Sequence, residues 1–353
     1  MTSSYQGVIE KYRDFIKTPI GLKAITLLEG NTPLIHAPEV AEKLGGNFDL
    51  WIKFEGLNPT GSFKDRGMTV AVSEAAHRGA SSVICASTGN TAASAAAYAA
   101  RAGMRAIVII PAGNVAAGKL AGAIAYGANV VQISGSFDDA FNIVLKISEK
   151  HPIALVNSLN PYRLEGQKTA AFEICDILGE APDWLTLPVG NAGNITAYWM
   201  GFKQYNNLKN SGLPRILGVQ AEGAAPLVIG HPVHHPDTIA TAIRIGNPAR
   251  GEEALHAASE SKGKIIAVSD DEILSAQKLL ASSGIWVEPA SAAGIAGLRK
   301  EIEENKIDIK NKCVVAVCTG HGLKDPDIIT KDFGIPKVVP PDINQLEDLI
   351  LNG

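Results

Sequence analysis

The chain has 353 residues, 46% hydrophobic and 19% charged, with a formal net charge of -4 and a pI near 6.1. This is globular rather than disordered composition, long enough for one large core or for two domains sharing a cleft. It indicates no basic surface for nucleic acid.

The most apolar stretch, residues 92–112, is broken by Arg101, Arg105 and Pro111 and fails as a membrane span. The start shows no charged region followed by an apolar one, so no secretory signal is read and a cytoplasmic protein is expected. The four cysteines, Cys85, Cys175, Cys313 and Cys318, form no C-x-x-C pair, which gives no support for zinc or a redox motif. Cys85, Cys313 and Cys318 lie in apolar strand-like runs, where cysteine behaves as a small hydrophobe.

In chain order, residues 6–16 read as a polar helix, and residues 34–37 as a short strand after the turn Gly30-Asn31-Thr32-Pro33. Residues 50–55 read as a strand, 57–61 as a turn around Pro59 and Gly61, and 66–78 as a helix with Met68 and Val72 on one face. Ser62 is read as the N-cap of that helix, which puts Lys64 in its first turn. The positive end of the helix dipole disfavours a second positive charge there and so favours a neutral amine. A neutral lysine amine is a nucleophile that can form a Schiff base with a carbonyl. A solvated surface lysine beside Asp65 and Arg66 is an equal reading at this point.

From residue 80 the pattern is regular. Strands are predicted at 82–86, 106–110, 129–133 and 153–157, with helices at 92–101, 116–126 and 138–150 between them. The alternation resumes with helices at 165–178, 195–209, 270–283 and 289–304, and strands at 184–189, 216–221 and 314–317. Such alternation is the signature of βαβ units and a parallel sheet covered on both faces. Residues 222–251 are rich in Gly, Pro and His with little period, and a loop that long in a compact enzyme is usually functional. Two α/β halves meet near residue 157.

Ligands of such folds bind beyond the carboxyl ends of the strands, where four loops fall. The loop Ser87-Thr88-Gly89-Asn90-Thr91 opens a helix and can bind an anion on its N–H groups, or can be an ordinary N-cap. Gly190-Asn191-Ala192-Gly193-Asn194 lies between a strand and a helix and lets several N–H groups converge on a phosphate. It lacks the Lys and Ser/Thr of a P-loop and is not G-x-G-x-x-G, so a nucleotide is disfavoured. The third loop, residues 157–163, joins Ser158 to Arg163, which can grip a phosphate bidentately or serve a surface ion pair. The fourth, Thr319-Gly320-His321-Gly322, sets a hydroxyl just past a strand, and His321 reads as structural rather than as a general base. His231, His234 and His235 give no defined face for a metal, so no metal is expected and a mobile active-site cover is the preferred reading of that segment.

These motifs resemble those of fold-type II pyridoxal phosphate enzymes, and among them the threonine synthases. The matching stretches are residues 30–34, 58–66, 87–94, 157–167, 190–194 and 241–248, so the resemblance spans most of the chain. It implies an α/β fold of two domains with open, twisted, mainly parallel sheets and the active site in the cleft between them. Residues 1–40 and 158–353 are expected to form the large, cofactor-binding domain, and 41–157 the small one. The resemblance implies pyridoxal 5'-phosphate bound covalently to Lys64, which also shuttles protons. Gly190, Asn191, Ala192, Gly193 and Asn194 are its phosphate cup, Asn90 faces its 3' oxygen, and Thr319 its ring nitrogen. The substrate carboxylate falls to the 87–91 loop, with Ser87 and Thr88. Its phosphate falls to Ser158 and Arg163, with Thr91 and Asn191. The implied reaction turns O-phospho-L-homoserine and water into L-threonine and phosphate, by γ-elimination and then addition of water at Cβ, in a homodimer. The rival is a threonine or serine dehydratase, which usually carries a longer glycine run where this chain has Ala192 and has no use for Ser158 and Arg163. A catalytically silent metabolite-binding protein of the same fold is the reading from another class.

Overall fold

The computed structural model describes residues 4–113, 117–328 and 338–352. The described strands fall into two sheets. The larger has six strands in the order β1 (Leu34–His36), β2 (Asp49–Phe54), β10 (Cys313–Cys318), β7 (Trp184–Pro188), β8 (Arg215–Ala221) and β9 (Lys264–Val268). The smaller has four, in the order β5 (Asn129–Ile133), β4 (Arg105–Pro111), β3 (Ser82–Ala86) and β6 (Ile153–Leu155). All pairings are parallel except β1 with β2. The expected small domain, 41–157, contains the four-stranded sheet and also β2, which pairs with β10 in the other sheet.

The two-residue period of a strand sends alternate side chains to opposite faces. In β10, Val314, Ala316 and Cys318 join one core cluster with α12 (Asp270–Ser282) and α13 (Pro289–Glu303). Val315 and Val317 join another with α8 (Thr169–Leu178) and α9 (Gly193–Lys209). The small sheet is covered likewise. Val83 and Cys85 face α3 (Lys64–His77), α4 (Asn90–Arg101) and α5 (Ala117–Ala125), whereas Ile84 and Ala86 face α6 (Phe137–Lys150). Covering both faces explains why these strands read as unbroken apolar runs.

Several expectations are corrected in detail. The first helix is a single turn, α1 (Val8–Lys11). The helix expected over 165–178 is two, α7 (Pro161–Gln167) and α8. Helix α2 (Pro38–Lys43), α11 (Gly251–Glu260), strand β9 and a last helix, Ile343–Asn352, were not anticipated. The irregular stretch 222–251 holds the short helix α10 (Pro226–Ile229) and two 3-10 turns, Glu222–Ala224 and Thr241–Ile243. Of the expected helix 116–126, residue 116 lies outside the described residues.

Candidate active site

The four loops do gather at the carboxyl ends of β3, β6, β7 and β10, and all thirteen predicted site residues line one cavity of about 1110 Å³. Lys64 is the first residue of α3. Its turn is pinned to the end of β10, because Phe63 N–H donates to Thr319 O at 3.0 Å and His321 N–H to Gly61 O at 2.9 Å. Asp65 locks the same turn to α4, accepting from Thr60 Oγ1 and Ser94 Oγ at 2.6 Å each. Ser62 is not the N-cap. Phe63 holds that place without a side-chain bond, and the buried Ser62 Oγ has no partner among the described residues.

Two glycines bring α3 and α7 together. A Cβ on Gly166 would fall 1.7 Å from Arg66 O, and one on Gly67 would fall 2.8 Å from Arg163 O. Only glycine permits this backbone approach, and it sets Arg163 near enough for its charge to act on Lys64. Burial first, then Arg163, draws the Lys64 amine down from 10.5 to about 7, with Glu288 opposing. The neutral amine expected from sequence is thus owed mainly to desolvation rather than to the helix dipole. Lys64 is half-buried, and the surface it keeps opens on the cavity. Arg66, beside it, is not a surface residue. It is fully buried between Glu55 and Glu173 and ties α3 to the large sheet.

The cup begins α9, with Ala192 in the left-handed region at φ 63 and no side-chain cap. The first turn of a helix has N–H groups without intrahelical partners. Asn194 adds a buried Nδ2 donor that has no partner among the described residues. A Cβ on Gly190 would fall 2.9 Å from Ile243 Cα, so the 241–248 motif packs directly on the cup. Uncapped N–H groups, an unsatisfied buried donor and a near-neutral lysine in one cavity fit an aldehyde cofactor that carries a phosphate.

The residues expected to hold a second phosphate lie beside the cup. Asn191 Nδ2 donates to Ser158 Oγ at 2.9 Å, and Asn191 Oδ1 accepts from Ala249 N–H at 2.7 Å. Asn157 holds that loop to the end of β3, exchanging two 3.0 Å bonds with the Ala86 backbone. Arg163 is buried, donates from Nη1 to Val156 O at 3.3 Å, and leaves Nε without a partner among the described residues. Burial draws its guanidinium down to about 10.

Across the cavity, Ser87 and Thr88 lie in the loop before α4, whose N-cap, Gly89, makes no side-chain bond. Thr319 Oγ1 shares a 2.9 Å bond with Ser291 Oγ, which also accepts from Gly320 N–H at 2.8 Å. Ser291 and Glu288 were missed by sequence reasoning. Glu288 precedes Pro289 and Ser291 is the third residue of α13, where a polar residue reads as ordinary helix-start chemistry. His321 caps the 3-10 turn that follows it, accepting from Leu323 N–H at 3.1 Å, as a structural residue would. His234 lines the cavity, and among the described residues no group of three His, Cys, Asp or Glu could hold a metal ion.

Comparison with known proteins agrees with this geometry. The family model described as pyridoxal-phosphate dependent enzyme matches residues 25–320. A threonine synthase of Synechocystis is 57% identical over 332 residues, covering 94% of this chain and 86% of that protein. One of Halalkalibacterium halodurans is 54% identical, covering 99% of each. Among solved structures, the processed threonine deaminase isoform 2 of Solanum lycopersicum superposes with a TM-score of 0.73 at 24% identity, covering 94% of this chain and 96% of that one, a likeness of fold. Among the described residues no helix is long and apolar enough to cross a membrane. The chain belongs to the pyridoxal-phosphate dependent enzymes and, within them, to the threonine synthase family.

Proposed function

We propose that the protein converts O-phospho-L-homoserine and water into L-threonine and phosphate, with pyridoxal 5'-phosphate held on Lys64. The observation that carries this reading is that the residues expected to hold two phosphates, at 190–194 and at Ser158 and Arg163, line one cavity with a lysine whose amine is drawn down to about 7. The cup at 190–194 serves the cofactor phosphate. Ser158, Arg163, Asn191 and Thr91 serve the phosphate of the substrate, for which a dehydratase acting on free threonine has no use.

When bound, the cofactor supplies an electron-withdrawing ring that acidifies the substrate Cα–H and then Cβ–H. Lys64 Nζ takes and returns these protons. An amine near 7 populates both of its forms at neutral pH, which is what general acid–base catalysis needs. The uncapped start of α4, with Ser87 and Thr88, holds the substrate carboxylate. Asn90 donates to the ring 3' oxygen. Thr319 offers the ring nitrogen a neutral hydroxyl whose orientation Ser291 fixes. Arg163 and Ser158 hold the phosphate as it leaves Cγ, and water then adds at Cβ. A cytoplasmic homodimer is the proposed setting, and sedimentation of the purified protein tests the assembly.

The deciding experiment is product analysis after separate addition of O-phosphohomoserine and of threonine. Equal amounts of threonine and phosphate from the first compound establish the reading. No product there, with 2-oxobutyrate from threonine, makes the protein a dehydratase and leaves Arg163 without a role.

A further inference from the structure

Glu288 lies on the cavity wall, and the roles above leave it unused. It precedes α13 in an extended conformation, its N–H donating to Gly320 O at 3.1 Å. Its side chain is buried, and both carboxyl oxygens accept from one donor, Asn90 Nδ2, at 3.1 Å each. Gly320 makes room for this, since a Cβ there would fall 2.4 Å from Oε1. A carboxyl group buried on a single amide is costly to keep. Burial pushes Glu288 above the usual carboxylate range. Asn90, Lys64 and Lys324 oppose that rise, and Asp325 adds to it.

The arrangement decides which way Asn90 faces. An Asn amide can turn either end to a neighbour, and the ends differ as donor and acceptor. Two carboxyl oxygens around one amide atom select the nitrogen. One amide hydrogen then goes to Glu288 and the second is left for an acceptor in the cavity. Asn90 starts α4, which packs on the small sheet, and Glu288 immediately precedes α13, which packs on the large one, so the bond also joins the two sheets' helices.

We propose that Glu288 is a positioning residue for the cofactor ring: it turns the Asn90 amide so that an N–H, not the carbonyl, meets the ring oxygen. This rests on the role given above to Asn90. The two readings separate, because the parent protein must show a visible cofactor band that Lys64→Ala abolishes whatever Glu288 does. Without such a band the earlier reading fails and takes this one with it.

The test is Glu288→Gln in the purified holoenzyme. The variant keeps the shape but can donate to the Asn90 carbonyl, which frees the amide to turn over. The dissociation constant for pyridoxal 5'-phosphate should rise roughly tenfold or more, the scale of one hydrogen bond to a charged group. The visible band should move. The cofactor-free variant should melt no lower than the parent, since a neutral amide is easier to bury than a carboxyl, whereas a merely structural Glu288 predicts a lower melting temperature. Asn90→Ala should reproduce the loss, and the double variant should lose no more than either single one, because both act on one path. Additive losses, or parent-like affinity and band in Glu288→Gln, would overturn the proposal. Glu288→Asp reads the same point if Glu288→Gln does not fold. It keeps the charge, loses the reach by one methylene, and should again weaken the cofactor and move the band; parent-like values there overturn the proposal equally.

Discussion

Helix starts differ across the molecule. Helix α6 opens with a complete capping box, Ser136 Oγ accepting from Asp139 N–H at 3.1 Å and Asp139 Oδ2 from Ser136 N–H at 2.8 Å. Helix α12 does the same with Ser269 and Glu272, at 3.2 and 2.6 Å. Helices α3, α4 and α9, whose first residues line the cavity, have Phe63, Gly89 and Ala192 at the N-cap and no side-chain bond. Lack of a cap is not by itself the mark of function, for α2 and α11 lack one as well. What sets α4 and α9 apart is that their first residues line one cavity, whereas in α3 the Asp65 and Arg66 N–H groups already donate to Ser62 O and Phe63 O. At α12, and at α6 although its N-cap Ser136 also lines the cavity, the chain satisfies those donors itself, and each cap contributes about 1 kcal/mol to stability. At α4 and α9 the side-chain cap is missing where the helix start lines the cavity.

The largest way to break that contrast is at Lys64. Replacing it with alanine should lower kcat by about 10²–10⁴-fold, the usual worth of a general acid–base group, and single-turnover kinetics would show it. A rate near the parent's would refute its role. Arg163→Ala should act on the second anion site. Loss of a hydrogen-bonded charge of about 1.5–3 kcal/mol corresponds to roughly 10–100-fold in kcat/KM for O-phosphohomoserine. An unchanged kcat/KM would leave the buried, half-satisfied guanidinium unexplained.

Much of this was legible beforehand, for a physical reason. Strands covered on both faces leave apolar runs such as Val83 to Ala86 and Val314 to Val317, and the loops that follow them carry the motifs. The lysine, the cup and the loop at 157–163 are short stretches of consecutive residues, so their chemistry can be read without knowing the fold. Glu288 and Ser291 are different. Their meaning comes from contacts with Asn90 and Thr319, far away in sequence, and next to Pro289 they look like any helix start. The same holds for Arg66. Its neighbours suggest a solvated charge, whereas its partners Glu55 and Glu173 come from other elements. Ser62 misled in the opposite sense, since a favourable cap residue does not cap when the chain is pinned to β10 through Phe63.

Lys64 also gives a pH test. Its folded value near 7 lies below the 10.5 of an exposed lysine. Between those values the unfolded chain holds more protons than the folded one at this site, so its contribution to stability rises with pH. Lys64→Met removes that contribution. The cofactor-free variant should therefore be more stable than the parent at pH 7, and the gap should close as pH approaches 10.5. A gap that stays constant in denaturant melts would mean that burial does not govern the amine.

The smallest effect is also the sharpest control. Ser269→Ala deletes one half of the α12 capping box, leaving Glu272 N–H unsatisfied at a site that does not line the cavity. Stability should fall by about 1 kcal/mol in urea unfolding, with kcat and KM unchanged. If kcat/KM fell in step with stability, capping and catalysis would not be separable in this chain. Unchanged kinetics beside that loss would show that the donor capped at α12 serves the fold alone.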